Sequence, residues 1–324
     1  MRTTKLPALA LAALIAPVLA AAPAQAAGKV WVSNAGADGA ACGAVATPCR
    51  TLQQAHDNVA AGGEIGVLTP GDYTGIDPVV ISKSVNITDD GSGEATLLRT
   101  LTIGAAAGDV VSVRGLVMEG LGVNGFGLLI ARASAVHVQN CVIRNFQGGV
   151  DPAGIIMGAG SNIQLFVSDT IVFNNGITDQ SGGIVIVANS GFAGNAVLDR
   201  VHLENNVLGL WVDGSRATSG NGVHVIIRDS VVSGNAGDGI RATSLPGRAP
   251  AFVVAERTSL VNNAGLGLRA DGPHATMLLD DNTVARNGVG MIAVSGGQLI
   301  SYGNNRVNNN IGLDGTPTGH YSPL

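Results

Sequence analysis

Aromatic residues make up only 3% of the 324 residues and charged residues only 13%, whereas hydrophobic residues reach 46%. Intrinsically disordered chains combine low hydrophobicity with many charges, so this composition excludes that class. The formal net charge of −5 lacks the basic excess typical of nucleic-acid-binding proteins, and we expect no nucleic-acid partner. The scarcity of aromatic rings argues against a processive polysaccharide enzyme, because such an enzyme stacks several sugar rings.

Cysteine is scarce as well, with three in the chain. Neither a Cys-x-x-Cys pair nor a Cys/His cluster at ligand spacing occurs, so we expect no metal site and no cofactor. Cys42 and Cys49 are separated by a short loop that a disulfide could close in an oxidising compartment. Cys141 falls in a column of small residues in the repeat described below and is predicted to be a buried, inert thiol.

The first 26 residues have the pattern of a secretory leader. Two basic residues precede an apolar run at 6–19, and residues 24–26, Ala-Gln-Ala, have the small-x-small form of a cleavage site. We therefore expect residues 1–26 to be a cleaved signal peptide and the protein to be exported to the periplasm or the medium. No later segment reaches about 18 uninterrupted apolar residues, so we expect no membrane span after cleavage.

One sequence motif recurs along most of the chain, with a mean spacing of 27 residues. An apolar anchor residue is followed three residues later by Asn in six of eight copies, and then by a Gly that opens an apolar strand. The anchors are Met118, Ile143, Val172, Leu203, Val232, Leu260, Val284 and Val307. The Asn residues are Asn175, Asn206, Asn235, Asn263, Asn287 and Asn310.

Apolar residues alternate with period two after each Gly, which indicates strands with one buried face. Short strands and a fixed turn residue favour a parallel β-solenoid, whose coils stack about 4.8 Å apart and align like residues in columns. We expect the aligned Asn side chains to form a hydrogen-bonded ladder along the axis. Because Asn and Gly tolerate left-handed backbone, they also suit the sharp turns between strands.

The segment from Cys49 to Tyr73, CRTLQQAHDNVAAGGEIGVLTPGDY, and the later run ISKSVNI at 81–87 resemble the opening of the right-handed parallel β-helix proteins of the pectate-lyase-like superfamily. The resemblance implies an all-β, single-stranded, right-handed parallel β-helix with a short N-terminal capping helix at about 52–61. An open coil end is an exposed sheet edge, so a cap is physically necessary. That superfamily contains lyases, hydrolases, esterases, epimerases and adhesins, so the resemblance specifies the fold and not the activity.

The predicted organisation is a single domain of about nine coils behind the leader. We predict the signal peptide at 1–26, the N-terminal cap with its helix at 27–63, the β-helix at 64–315 and a C-terminal tail at 316–324.

Alignment of the coils places Trp211, Arg241 and Arg269 in one outward column, beside Asp213 and Asp271. An indole next to guanidinium groups is a platform for a sugar ring that bears a carboxylate. If the protein is an enzyme, the two aspartates would act as acid and base with the two arginines beside them. The alternative is that Trp211 stacks on Arg241 and that the Arg–Asp pairs are ordinary surface salt bridges.

Two further columns have open interpretations. In the Trp211 column, the preceding coils contribute Leu129, Ile156 and Val185, an apolar stripe that either docks a partner or lies beneath a loop. Three residues before the anchors, acidic and basic residues alternate over five consecutive coils, which suggests a surface ion-pair ladder or, alternatively, a charged groove. The alternating residues are Asp169, Arg200, Asp229, Arg257 and Asp281.

Three functions fit the sequence. The first is an exported, non-catalytic protein that binds a polysaccharide or another envelope component through Trp211, Arg241 and Arg269. The second is a carbohydrate-active enzyme, a polysaccharide lyase or glycoside hydrolase, that uses the same face. The third is a purely structural solenoid.

Overall fold

The computed structural model describes residues 27–158, 160–218 and 221–321, so the predicted signal peptide lies outside the described residues. Within these ranges the chain forms a parallel β-solenoid of about nine turns, as the repeat predicts. Each turn contributes one strand to each of three parallel sheets. Alternate side chains of the strands point inward, where Val, Ile, Leu and Met residues form one continuous buried core.

The sheets contain twelve, nine and ten strands among the described residues. The strands of the twelve-stranded sheet are Ala27–Val32, Val59–Val67, Val85–Thr88, Val110–Arg114, Ala135–Gln139, Ile163–Ser168, Ala193–Asp199, Gly222–Arg228, Ala251–Glu256, Ala275–Asp280, Gln298–Ser301 and Gly319–His320. The strands of the nine-stranded sheet are Val79–Ile81, Leu101–Gly104, Phe126–Arg132, Ala153–Gly158, Gly182–Val187, Leu208–Asp213, Ile240–Thr243, Leu266–Asp271 and Val289–Val294. The strands of the ten-stranded sheet are Gly71–Asp72, Ala95–Leu97, Leu116–Glu119, Val142–Arg144, Ile171–Phe173, His202–Glu204, Val231–Ser233, Ser259–Val261, Thr283–Ala285 and Arg306–Asn308.

The N-terminal helix is Leu52–Asn58, shorter than the 52–61 expected, because Val59 already begins a strand. The Thr51 hydroxyl accepts the Gln54 amide at 3.2 Å and so caps the first turn. Leu52, Ala55 and His56 are buried. This seven-residue helix, the only one among the described residues, is far too short to cross a bilayer.

Two of the three cysteines are disulfide-bonded and the third is a free thiol, as the sequence suggests. Cys42 and Cys49 are joined by a disulfide in the segment that precedes the helix. Cys141 is a free thiol with 1% of its surface exposed, and burial raises its pKa to about 11. A thiol with so high a pKa stays protonated at neutral pH and is a poor nucleophile.

At the C-terminal end, part of the segment expected to be a tail joins the solenoid. Gly319–His320 pairs in parallel with Gln298–Ser301 and supplies the last strand of the twelve-stranded sheet. The boundary between β-helix and tail predicted at residue 315 therefore does not match the strand pairing.

The Asn ladder links successive coils through side chains and backbone. Asn206 Oδ1 accepts both the backbone amide and Nδ2 of Asn175 at 3.0 Å, and Asn206 Nδ2 donates to the Val172 carbonyl at 2.9 Å. The next Asn pairs repeat the backbone contact, with Asn206 donating to Asn235, Asn235 to Asn263, Asn263 to Asn287 and Asn287 to Asn310. The ladder therefore satisfies buried polar groups at one turn of each coil.

The turn geometry differs from expectation in one respect. The ladder asparagines do not adopt left-handed backbone, but the residue before each of them does, with φ between 53° and 66°. These residues are Asn174, Asn205, Gly234, Asn262, Arg286 and Asn309. The alternating charged residues from Asp169 to Asp281 also have positive φ, between 44° and 52°, so that column lies in a second turn of the coil.

Candidate functional site

The nine-stranded sheet brings the predicted site residues into the expected columns. Trp211 pairs with Val185 on one side and Arg241 on the other, and Arg241 pairs with Arg269. Asp213 and Asp271 align in the adjacent column, with Thr243 between them. The two aspartates are thus two coils apart, a backbone separation of about 10 Å.

Trp211 is not an open platform. Its exposed fraction is 6%, and its indole Nε1 donates to the Thr243 hydroxyl at 3.1 Å. The ring packs in a small cluster on the outer face of the sheet, whose other members are Ala153, Val185, Val187 and Leu208, with Phe126 and Ile156 against it. These apolar neighbours, some from other coils, cover the ring and leave little of it for a ligand.

The two arginines of the column bind acidic and carbonyl oxygens of the protein. Arg241 Nε and Nη2 donate to Asp238 Oδ2 at 2.8 Å, and Nη1 donates to the Asp179 carbonyl at 3.0 Å. Arg269 Nη2 donates to Asp271 Oδ2 at 2.7 Å. Arg241 therefore uses three of its nitrogens on oxygens of its own chain, whereas Arg269 forms a single pair and its buried Nε has no hydrogen-bond partner. The Arg–Asp contacts agree with the alternative of ordinary salt bridges.

The two aspartates of the nine-stranded sheet, Asp213 and Asp271, differ in solvent exposure. Asp213 is 1% exposed, its Oδ1 accepts the Ser215 amide at 2.8 Å, and Oδ2 lies 3.5 Å from Arg216 Nε. Asp271 is partly exposed but paired with Arg269. A general acid and base must reach the substrate, and Asp213 has no open path to one.

The predicted apolar stripe beside this face is largely closed too. Val185 is 2% exposed and, with Ile156, forms part of the cluster around Trp211, while Leu129 is only partly exposed. Side chains of the cluster around Trp211 therefore cover much of the stripe.

An open apolar surface lies instead on the twelve-stranded sheet. The outward side chains at the middle of its strands form the apolar column, His137, Phe166, Val197, Ile226, Val254 and Leu278. A groove of about 330 Å³ runs over the coils of Phe166, Val197, Ile226 and Val254. Ile226 is 39% exposed, a large fraction for an isoleucine that alternates with buried neighbours.

Two further columns flank the apolar column. The polar column consists of Ala135, Gln164, Asn195, His224, Phe252 and Thr276. The charged column consists of Gln139, Ser168, Asp199, Arg228, Glu256 and Asp280. We call the three columns together the groove face. His137 stacks on Phe166 with ring centroids 4.8 Å apart, and Arg228 Nε lies 3.1 Å from Asp199 Oδ1.

The alternating charges form discrete ion pairs. Arg200 contacts Asp169 at 2.7 Å, Arg257 contacts Asp229 at 2.7 Å, and Arg306 contacts Asp281 at 3.1 Å. Hydrogen bonds from Arg200 hold the pKa of the Asp169 carboxyl below its usual value, and those from Arg257 do the same for Asp229. Opposite charges are thus paired along the axis, and solvent screening leaves such exposed pairs little effect on stability.

The described residues contain no group of three His, Cys, Asp or Glu side chains placed to hold a metal ion.

A family model described as "Right handed beta helix region" matches residues 110–311. The chain belongs to the right-handed β-helix family. A search of curated proteins finds no match.

Solved structures similar to this β-helix protein share 13–14% sequence identity with it. The A-module of the mannuronan C-5 epimerase AlgE4 of Azotobacter vinelandii matches 74% of this chain and 72% of its own length, with a TM-score of 0.38. A rhamnogalacturonan lyase matches 87% of both chains with a TM-score of 0.35. A Geobacillus virus E2 protein, ORF18, matches 83% of this chain and 57% of its own, with a TM-score of 0.31. At this identity the likeness concerns the fold alone.

Proposed function

We propose that this β-helix protein is an exported, non-catalytic binding protein and that its binding surface is the groove face. The observation that carries the proposal is the row of outward apolar side chains from Phe166 to Leu278, in which Ile226 is exposed and the others are half-buried. On a soluble protein a contiguous exposed apolar patch marks an interaction site. The groove is lined by aliphatic and aromatic side chains, with Gln164, Asn195 and His224 at its polar edge.

Binding without catalysis is supported by how the acidic side chains are placed. The carboxylates nearest the groove belong to the charged column, where Asp199 contacts both Arg228 and Arg200. On the opposite face, Asp213 is buried and Asp271 is paired. Acid–base catalysis on a sugar needs two carboxyl groups that reach one substrate bond.

Export is supported by two features of the N-terminal region. The Cys42–Cys49 disulfide is a bond that persists mainly in oxidising compartments. The leader pattern at 1–26 gives the same indication from the sequence.

A sugar chain is the second candidate ligand for the groove face. Phe166 and Phe252 lie in neighbouring columns with the amides of Gln164 and Asn195 between and beside them. Rings for stacking together with amides for hydroxyl groups are the combination that sugar recognition uses. The polysaccharide hypothesis, first made for the Trp211 column, therefore has its better-exposed rings here.

The test is a joint binding and turnover screen of the purified protein on acidic and neutral polysaccharides, with and without Ca²⁺. We expect neither new reducing ends nor unsaturated products. Product formation that Asp271→Ala abolishes would establish an enzyme and contradict the proposal.

Variants of two isoleucines then locate the binding surface. Ile226→Glu puts a charge in the groove, and Ile171→Glu is its matched control, because Ile171 is 40% exposed on the ten-stranded sheet. If a polysaccharide is retained, we expect Ile226→Glu to weaken retention about tenfold and Ile171→Glu to leave it unchanged. Loss of retention in Trp211→Ala alone would place the binding surface on the nine-stranded sheet instead.

A further inference from the structure

The groove face is self-complementary. Its three columns run along the solenoid axis, and the coils of Asp199 and Arg228 lie at the centre of the groove. A two-fold axis can be placed above the groove face, parallel to the strands and midway between these two coils. The second copy that this axis generates faces the first copy, with its strands in the same direction and its coils in the opposite order. Each column then faces the same column of the second copy, read in the opposite direction.

The apolar column fits itself in this arrangement. Val197 meets Ile226 of the second copy at the centre, and Phe166 meets Val254 one coil further out. The largest side chain of the groove thus faces a small one, which lets the two surfaces interlock. In the polar column Asn195 meets His224, and an amide and an imidazole can form a hydrogen bond.

The charged column sets the register. In this arrangement Asp199, which already contacts Arg228 and Arg200 of its own chain, also faces Arg228 of the second copy, and the symmetry makes this pair twice. Further out, Ser168 faces Glu256 and Gln139 faces Asp280, so no like charges meet. Opposite charges that meet across an interface steer association and reject other registers.

Neighbouring registers either bring like charges together or lose the two Asp199–Arg228 pairs. An axis through the Arg228 coil would set Arg228 against itself and Asp199 against Glu256. An axis between the Arg228 and Glu256 coils would pair Arg228 with Glu256 but set Asp199 against Asp280, and an axis between the Ser168 and Asp199 coils would set Asp199 against Ser168 and Arg228 against Gln139. A parallel arrangement would lay the charged column on the polar column, with Glu256 over the ring of Phe252, and would desolvate that carboxylate without a partner.

From these matches we propose that the partner of the groove face is a second copy of this chain, packed antiparallel about the two-fold axis between the Asp199 and Arg228 coils. The proposal rests on the groove face being the binding surface. Six coils about 4.8 Å apart and three columns give a patch of roughly 30 by 15 Å, on the order of 450 Å² per copy. This is below the ~800 Å² per partner of standard interfaces, so we expect a dimer that dissociates on dilution.

Sedimentation velocity over a range of protein concentrations tests the association. We expect a dimer that Ile226→Glu weakens about tenfold or more, and that the matched Ile171→Glu leaves intact. Circular dichroism of each variant shows that the solenoid remains folded.

Two charge-reversal variants test the register itself. Asp199→Arg and Arg228→Asp would each bring two pairs of like charges together in their own dimer, so each variant alone is expected to be monomeric. A mixture restores two opposite-charge pairs, so the two variants should associate with each other. The mixture contains the same chains as the two separate samples. A chain with a folding defect would fail to associate in the mixture as well as alone, so association in the mixture shows that both variants are folded.

The outcomes separate this inference from the proposed function. A wild-type protein that stays monomeric, a dimer insensitive to Ile226→Glu, or folded charge variants that fail to associate when mixed would each overturn the dimer. If the protein is monomeric but Ile226→Glu abolishes retention on a polysaccharide, the dimer is wrong and the groove face remains the binding surface. If neither association nor retention depends on Ile226, both proposals fail.

Discussion

A Cβ atom built on Gly209 would lie 3.1 Å from Nδ2 of Asn235, and 2.5 Å from the carbonyl oxygen of Gly239. The same relationship recurs where Gly183 meets Asn206 and Gly267 meets Asn287. In these coils the strand must carry Gly because the backbone and the ladder Asn of the following coil both approach it closely, the backbone carbonyl most closely. The Gly and the Asn of the repeat therefore share one crowded contact between successive coils.

Gly209→Ala is expected to lower the free energy of unfolding by about 3 kcal/mol, because the new methyl group has to displace backbone and the ladder. Urea denaturation followed by circular dichroism measures this. The control is Gly158→Ala in the same sheet, where a Cβ would have nothing within 4 Å. We expect Gly158→Ala to be neutral or slightly stabilising; equal losses for both variants would mean that the ladder contact is unimportant.

Asn206→Ala tests the ladder by removing one of its asparagine side chains. Asn206 is 2% exposed, and the truncation removes the acceptor of the Asn175 amide and the donor to the Val172 carbonyl. Leaving such buried groups unpaired should cost on the order of 3 kcal/mol in urea denaturation. Asn86 lies exposed on the outer face of a strand, so Asn86→Ala should change stability by less than about 0.5 kcal/mol.

The sequence was sufficient to predict the register. Because the anchor and the Gly recur from coil to coil, and the Asn in six of eight copies, the repeat predicts Trp211 beside Arg241 and Arg269, and the strand pairing agrees. The burial of Trp211 was not predictable in the same way. It depends on side chains such as Phe126 and Leu208, some of them from other coils, and no repeat pattern specifies how these pack over the sheet.

The groove face was missed although the sequence contained a signal for it. The side chain six residues before the anchor is Phe166, Val197, Ile226 and Val254 in four consecutive coils, at positions that alternate with buried residues. Applying the coil alignment to this third strand would have shown an outward apolar row. The predicted columns begin three residues before the anchor, so this row, six residues before it, lies outside them.

Arg286 occupies a turn position where most other coils have Asn or Gly. Its φ is 59°, while Asn262 in the preceding coil has the same φ and Gly234 has 66°. Left-handed backbone costs an ordinary L-residue roughly 1 kcal/mol and costs Asn less. Arg286→Asn should therefore raise the free energy of unfolding by about 0.5–1 kcal/mol. Arg286→Val, with a β-branched side chain at the same φ, should lower it; the opposite order in urea denaturation would refute the strain argument.

The N-terminal cap should be sensitive to acid through His56. The imidazole is 3% exposed, and its Nε2 accepts the Ser82 amide at 3.2 Å across the contact between the helix and the first coil. Burial lowers the pKa of His56, an effect that Lys83 reinforces and that Asp57, 3.3 Å from Nδ1, opposes. Protonation would replace the acceptor with a donor that faces the Ser82 amide.

The sign of the pH dependence follows from the lowered pKa. Below the ordinary histidine value of 6.5, the unfolded chain binds a proton at His56 that the folded chain resists, so acid favours unfolding. We expect the urea midpoint to fall between pH 7 and about 5 in the wild-type protein, and to fall less in His56→Gln, whose amide oxygen can still accept the Ser82 amide. His137→Gln makes the same substitution at an exposed histidine outside the cap and serves as the control for the change of side chain. An identical slope in all three proteins would show that the cap does not respond to His56.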